Sequence, residues 1–268
     1  MKLKCAGLFL FFLLGIFFLK AQDPIKNQSQ ADEIFVGILI QNNDQTIPYF
    51  LKSIDNLDYD KSLMQIHLTL CNSTKEIKNT IHEWAKKNNK AYKKILVEDC
   101  TNKLTEKDRI GKNKIFGQIK NNYLSLCKDA SADYCLILSS DIFLLPPTLK
   151  YLVQKEKPLM APLLRPIPES NDNFRNFFCA VTPQGYYKDH PDYSPIALRQ
   201  KLGTYKVPCI HGAYLIKKEA LDQLSFTKCF EDWEFLAFSK YARENGVDQF
   251  ICNEKEFGFF LHFLKEMS

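Results

Sequence analysis

Two acidic segments of this sequence could carry out chemistry. One is Ser139-Ser140-Asp141, directly after the apolar run Tyr134–Leu138, and the other is Glu231-Asp232, shortly before an apolar helix pattern that starts at Phe235. An exposed carboxylate after a buried strand lies where open α/β sheets bind ligands, beyond the carboxyl ends of the strands. A second carboxylate can accept a proton from a reacting hydroxyl. Together the two segments indicate an enzyme that uses a sugar nucleotide.

The Glu231-Asp232 pair also has a structural interpretation. It stands at the start of a helix pattern that closes at Asn245-Gly246. Carboxylates at a helix N-terminus are stabilised by the unpaired N–H groups of the first turn and by the helix dipole. The pair can therefore be a helix cap, a catalytic pair or both.

The first half of the chain alternates strand and helix patterns. Strands are predicted at 34–40, 64–70, 94–97 and 134–138, because these runs are apolar and rich in β-branched residues. Thr46, with Pro48 in the first turn, is expected to cap the first helix, and Ser73–Glu76 reads as a capping box for the second. The polar stretch 98–114 reads as a loop, followed by a helix over about 116–128. This alternation predicts an α/β fold with a mostly parallel central sheet, flanked by helices and joined by right-handed crossovers.

The second half is less regular. A helix is expected from Pro146-Pro147 to about Gln154, and strands of mixed direction are expected over 159–164, 177–182 and 207–216. A nucleotide-binding first half with an irregular second half is typical of a GT-A glycosyltransferase. No long linker divides the 268 residues, so a single domain over 34–260 is predicted.

The two ends of the chain read differently from its centre. Residues 1–21 combine a charged start with a short apolar run, which is typical of a signal peptide, with a short uncleaved signal anchor as the alternative. Residues 22–33 form a polar leader and residues 261–268 a tail. The expected location is the lumen of the secretory pathway (endoplasmic reticulum) or the exterior, or the periplasm in a bacterium, with membrane attachment only through an uncleaved anchor.

Charge and cysteine content exclude some other classes. The formal net charge is +5, and many Lys and Arg residues fall between Lys86 and Lys120, as on a solvated face or a basic rim that attracts a diphosphate. No nucleic-acid motif accompanies them, so no nucleic-acid partner is expected. No Cys-x-x-Cys spacing occurs, which argues against zinc. Cys127 and Cys135 fall inside a helix and a strand pattern and are expected to be buried thiols, although other cysteines could form disulfides.

Several strings in fixed order carry a family resemblance. They are Ala132-Asp133-Tyr134, 159–164, 176–179, 182–187, 207–211 and Cys252-Asn253-Glu254-Lys255-Glu256-Phe257-Gly258. This order resembles the N-terminal glycosyltransferase domain of procollagen galactosyltransferases. It is also similar to the glycosyltransferase-like middle domain of procollagen lysyl hydroxylases, in which Asp58-Tyr59 has a close counterpart.

The resemblance implies a GT-A fold, a UDP-sugar donor and a divalent cation, usually manganese. We expect the donor to bind against Gln41, Asn42, Ser139, Asp141 and His211, and the metal to bind Asp141, with His262, just after the last family string, as a further candidate ligand. Family members carry an acidic pair at the position of Glu231-Asp232, and Glu231-Asp232-Trp233 also resembles the general-base motif of inverting family 2 glycosyltransferases, which implies that Asp232 is the general base. The function expected on this basis is inverting transfer of galactose or glucose to a hydroxyl of a protein or glycan.

The sequence departs from the family at one position. The family's Asp-x-Asp motif aligns with Ser139-Ser140-Asp141, so a serine replaces the first carboxylate, and a hydroxyl is a poor substitute for it at a hard cation. Manganese binding is therefore expected to be weak or lost. A catalytically inactive domain that keeps the fold for binding or assembly is the alternative function, and a lectin-like module is a third. His211 can belong to the site or can be a core histidine that donates to a backbone carbonyl.

Overall fold

The computed structural model describes residues 31–41, 45–100, 109–167, 175–228 and 233–261. From Asp32 onward the described residues belong to one compact unit. Its strands, β1 to β15, are Ile34–Ile40, Met64–Leu70, Lys94–Asp99, Tyr134–Ser139, Ile142–Leu144, Leu159–Pro162, Arg165–Pro166, Phe177–Phe178, Ala180–Val181, Tyr187–Lys188, Thr204–Lys206, Cys209–Ile210, Ala213–Lys217, Gln249–Cys252 and Gly258–Phe260. Its helices, α1 to α6, are Ile47–Asp55, Lys75–Asn88, Arg109–Asp129, Thr148–Val153, Tyr193–Ala197 and Glu234–Glu244, with short 3₁₀ helices at Lys61–Leu63 and Lys218–Gln223.

The centre is an eight-stranded sheet in the order β11-β14-β6-β13-β4-β1-β2-β3. β1 pairs in parallel with β4 on one side and with β2 on the other. β2 also pairs in parallel with β3, and β6 pairs in parallel with β14. Only β13 and β11 run antiparallel to their neighbours. The carboxyl ends of six strands and the start of β13 therefore meet at one edge, which we call the carboxyl edge.

Helices cover both faces of this sheet, as the apolar strands require. One buried cluster lies between the sheet and α1, α2 and α4, and a second lies between the sheet, α3 and α6. β1 illustrates the arrangement, because all seven of its residues are buried. A strand buried on both faces reads as a continuous apolar run, and this is why the sequence revealed it.

Several local predictions need correction. α3 begins at Arg109, so the last part of the stretch read as a loop is helical. Thr46 makes no capping hydrogen bond with its side chain, and Thr74 rather than Ser73 caps α2, accepting from the N–H of Ile77 at 3.3 Å. The strand expected over 159–164 ends at Pro162, and the strands expected over 177–182 and 207–216 are each broken into two shorter ones. Turns of irregular chain interrupt apolar runs there, and periodicity alone cannot detect them.

The family strings hold the fold together. The buried amide of Asn176 accepts from the N–H of Leu164 at 2.8 Å and donates to the carbonyls of Pro162 and His211 at 2.8 and 3.2 Å. Asn253 likewise accepts from Gly203 N–H at 2.7 Å and donates to two carbonyls. Gly258 passes so close to β5 that a Cβ there would lie 2.2 Å from the carbonyl oxygen of Phe143.

Among the described residues, no helix has both the length and the apolar character needed to cross a membrane. Residues 1–30, on which the signal peptide or anchor was predicted, lie outside that part of the chain.

Candidate active site

The carboxyl edge brings together the end of β4 and the start of β13. Ser139 pairs with Leu39 of β1, and its N–H donates to the carbonyl of Gly212 at 3.2 Å. Gln41 lies two residues after Leu39, and Asp141 lies two residues after Ser139. Both are therefore at the carboxyl edge. Gly212 adopts φ of +81°, a conformation that favours glycine, and this turn directs the chain from His211 into β13.

His211 lies in the wall of this edge as a buried ring. Its imidazole lies 4.8 Å from the ring of Phe235, centroid to centroid, and hydrogen-bonds the backbone of Arg175. Burial lowers the pKa of His211 to about 4, although the carboxylates of Glu234 and Asp141 act in the opposite direction. The ring is therefore neutral at pH 7. These are the contacts of a core histidine, and its ring lies near the carboxylates of Glu234 and Asp141.

The start of α6 is tied to α3 by a buried ion pair. Lys120 Nζ lies 2.7 Å from Glu234 Oε1, and the two side chains are only 4% and 12% exposed. The same ammonium group lies over the rings of Tyr214 and Phe226, 5.7 and 5.5 Å from their centroids. Glu234 is the first residue of α6 and follows Trp233 at the N-cap, so its carboxylate also faces the positive end of the helix dipole.

Asn121, next to Lys120 on α3, holds the chain that leads toward α6. The Asn121 amide accepts from the N–H of Phe226 at 2.7 Å and donates to the Thr227 hydroxyl at 2.6 Å and to Ser225 Oγ at 3.3 Å. Lys120 and Asn121 thus fix the chain on both sides of residues 229–232, from one turn of one helix.

Four predicted site residues lie outside the described residues. They are Asn42, Glu231, Asp232 and His262. Gln41, Ser139, Asp141 and His211 are described, and all four lie at the carboxyl edge. Within the described ranges, no group of three or more His, Cys, Asp or Glu side chains could hold a metal ion. Of the two predicted metal ligands, Asp141 is the one that lies within the described residues, and it supplies a carboxylate at the carboxyl edge.

Sequence reasoning missed Lys120, Asn121 and Glu234. A signal for Lys120 was present, because it falls on the same helical stripe as the buried residues Phe116, Tyr123, Leu124 and Cys127. A charged residue within an apolar stripe needs a buried partner. The partner could not be read from a sequence separation of 114 residues.

Two surface cavities lie elsewhere. Their volumes are about 540 and 490 Å³, and both are lined by Val247 and Asp248, just before β14 begins. Lys217, at the end of β13, lines the larger one. They therefore lie at the sheet edge opposite the predicted site residues.

The model of the glycosyltransferase family 25 N-terminal domain matches residues 31–268. The chain is 31% identical over 245 residues to procollagen galactosyltransferase 2 of Mus musculus, covering 86% of this chain and 39% of that protein. It is 26% identical over 247 residues to the inactive glycosyltransferase 25 family member 3 of Homo sapiens, covering 87% and 41%. The chain thus spans about two fifths of the length of these relatives.

Solved glycosyltransferase structures share the architecture. GalNAc-T7, crystallised with UDP, GalNAc and Mn²⁺, superposes with a TM-score of 0.62 at 17% identity, covering 85% of this chain and 43% of that one. S. aureus TarS 1–349 in complex with UDP-GlcNAc gives 0.56 at 14% identity, covering 85% and 58%. At such identities the likeness concerns the fold. The predicted GT-A fold in a single domain is confirmed.

Proposed function

The chain belongs to glycosyltransferase family 25, and from this premise we propose that it is an inverting hexosyltransferase domain. Its donor in this proposal is UDP-galactose or UDP-glucose, and its acceptor is a hydroxyl group of a protein or glycan. Gln41, Asn42, Ser139, Asp141 and His211 form the donor side of the site, and Glu231 and Asp232 form the acceptor side. Passage through the secretory lumen, directed by residues 1–21, is part of the proposal.

The observation that carries the proposal is the anchoring of both flanks of the Glu231-Asp232 segment. The Lys120–Glu234 pair fixes the following residues and Asn121 fixes the preceding ones. A buried ion pair is a poor source of stability, because desolvation offsets most of the Coulomb attraction, and an apolar pair of similar volume would serve as well. Retaining charges here is understandable if the start of α6 must be held in one position.

Chain connectivity then limits how far the predicted base can be from this anchor. Asp232 precedes Glu234 by two residues, so at most about 7 Å separates their Cα atoms. Glu234 and Asp141 both act electrostatically on the His211 ring, so the anchor and the end of β4 flank the same residue. This arrangement supports a shared site for donor and acceptor.

In the proposed reaction, Asp232 accepts the proton of the acceptor hydroxyl as its oxygen attacks the anomeric carbon. Attack from the face opposite the departing UDP inverts the configuration. Glu231 and the helix start orient that carboxylate. The neutral His211 ring and its aromatic neighbours form a rigid wall that excludes water from the reacting groups.

The described residues do not fit a manganese site by themselves. Asp141 supplies one carboxylate, Ser139 supplies a hydroxyl, and no cluster of three ligands accompanies them in the described ranges. Manganese prefers several oxygen ligands in octahedral geometry. We therefore derive no step of the reaction through a metal ion.

The serine at position 139, in place of the family's first aspartate, favours a second candidate function. A family 25 domain without its first aspartate can keep the fold and lose transfer, serving in binding or assembly instead. One relative of this chain is named an inactive glycosyltransferase 25 family member, whereas another is named a procollagen galactosyltransferase.

Transfer of labelled hexose from UDP-galactose and UDP-glucose to hydroxylated collagen peptides tests the proposal. Asp232→Asn keeps a similar shape and helix-capping ability but cannot accept the proton, so turnover should fall by about 100-fold or more while UDP affinity persists. Glu244→Gln, an exposed carboxylate at the other end of α6, is the matched control and should retain full turnover.

Two results would contradict the proposal. An Asp232→Asn protein with parental turnover would exclude the catalytic role of Asp232. A folded parent protein that binds UDP, measured by calorimetry with and without Mn²⁺, but transfers no hexose would support the inactive-domain alternative.

A further inference from the structure

Two cysteines at the carboxyl edge take no part in the proposed transfer reaction. β2 and β3 are paired in parallel up to Leu70 and Asp99, and each strand is followed directly by a cysteine, Cys71 and Cys100. The Cys100 N–H donates to the Leu70 carbonyl at 2.8 Å, so the pairing continues one residue further. Paired strands hold opposite residues about 4.8 Å apart. This spacing lies within the Cα separation of about 4.4–6.8 Å that disulfides require.

The two thiols already face each other. They are joined by a side-chain hydrogen bond, and Cys100 packs with Leu39 and Phe116 in the small apolar cluster that contains Cys71. Cys71 is 1% exposed, whereas Cys100 is half-buried. A small reagent can therefore reach Cys100 first, and Cys71 is in position to react in a second step.

We propose that Cys71 and Cys100 form a disulfide when the protein meets glutathione disulfide, as it would in an oxidising compartment. The Cys100 thiolate attacks one sulfur of glutathione disulfide and expels one glutathione. The Cys71 thiolate then attacks the Cys100 sulfur and expels the second glutathione. Two protein thiols are oxidised, one glutathione disulfide is reduced to two glutathione molecules, and the two thiol protons end on the glutathione sulfurs.

This bond would lock the edge next to the proposed donor side. The N–H of Cys71 donates to the carbonyl of Ile40 at 2.9 Å, directly before Gln41. The disulfide would close a loop that contains the whole of α2 and would fix the ends of three adjacent strands. Formation of this disulfide does not depend on transfer activity, because it requires only the two thiols and the strand pairing that holds them together.

A second cysteine pair provides an internal control. Cys127 and Cys135 are also joined by a side-chain hydrogen bond, but both are 0% exposed inside the cluster between the sheet and α3. Glutathione disulfide cannot reach either sulfur in the folded protein. This pair should therefore remain reduced under conditions that oxidise the first.

The experiment uses the full chain, reduced first and then incubated with glutathione disulfide. Remaining thiols are alkylated under denaturing conditions, and trypsin releases the four cysteines on separate peptides, residues 62–75, 95–103, 121–128 and 129–150. Mass spectrometry should find peptides 62–75 and 95–103 joined by a disulfide and the other two alkylated. The melting temperature of the oxidised protein should rise by about 5–10 °C.

Variants separate this bond from other oxidation. Cys71→Ala and Cys100→Ala should each lose the linked peptide and the rise in melting temperature. The proposal is overturned if wild-type peptides 62–75 and 95–103 are recovered separately alkylated, if glutathione stays on Cys100, or if either cysteine pairs elsewhere. Because the wild-type peptide analysis decides, a variant that fails to fold does not affect the result.

Discussion

The buried Lys120–Glu234 pair gives the sharpest stability prediction, because each variant leaves a different charge behind. Lys120→Met removes the ammonium and leaves the Glu234 carboxylate, which is 12% exposed at the start of α6. Breaking a buried pair from one side typically costs about 3–5 kcal/mol. The helix dipole stabilises a carboxylate at the start of α6 by about 0.3–1 kcal/mol, which reduces this loss. We therefore expect a loss of about 3 kcal/mol in the free energy of unfolding.

Glu234→Gln should cost more than Lys120→Met. It leaves an ammonium that is 4% exposed, and the positive end of α6 repels it instead of stabilising it. Removing both charges with Lys120→Met and Glu234→Gln together should cost less than either single change, because no unpaired charge remains. The order of the three losses is a stronger test than any single value.

The same helix offers a matched control. Lys128 pairs with Asp222 near the end of α3, but these side chains are 40% and 85% exposed. Lys128→Met should therefore change the free energy of unfolding by less than about 1 kcal/mol. Equilibrium urea denaturation, followed by the fluorescence of Trp84 and Trp233, measures all four variants. A Lys120→Met protein as stable as Lys128→Met would refute the reasoning.

Two further predictions concern the carboxyl edge. Ser139→Asp should strengthen Mn²⁺-dependent UDP binding, measured by calorimetry, because it adds an anionic oxygen beside Asp141. Ser139→Ala is its control and should leave affinity near the parental value; equal affinities in both variants would mean that the cation is held elsewhere or not at all. The second prediction concerns His211, whose pKa of about 4 in the folded protein lies below its ordinary value of 6.5. Since the unfolded chain binds the proton more readily, stability is fully present above pH 6.5 and is lost as pH falls toward 4, by about 3 kcal/mol. His211→Gln should flatten this part of the stability profile. An unchanged slope in His211→Gln would contradict the assignment.

The parallel half of the sheet could be predicted because its strands are buried on both faces. β1 and β4 read as uninterrupted apolar runs, and the helices between them carry periodic patterns. The placement of Asp141 at the carboxyl edge followed directly. β14, only four residues long, could not be placed, because its pairing with β6 depends on contacts between distant parts of the chain.

The candidate site was only partly readable for a similar reason. Asp141 and His211 could be named from motif and resemblance, but the low pKa of His211 comes from its burial, and the ring of Phe235 that packs against it lies on another element. Lys120 lies in a helix whose apolar stripe is clear from the sequence. Its partner Glu234 lies two residues after the Glu231-Asp232 pair, which the sequence predicts to be a helix cap or a base, and its role as an anchor could not be read from the sequence.

The strand order has a consequence for how the chain must fold. β6 lies between β13 and β14, and β5 pairs with β15, so both depend on partners that the chain contributes between 55 and 118 residues later. During synthesis β1 to β4 can pair while β5 and β6 still present unsatisfied edges, which favour association between chains. Residues 249–260 therefore complete two sheets at once. A chain that stops before Gln249 should collect in aggregates even though every proposed donor contact precedes that point.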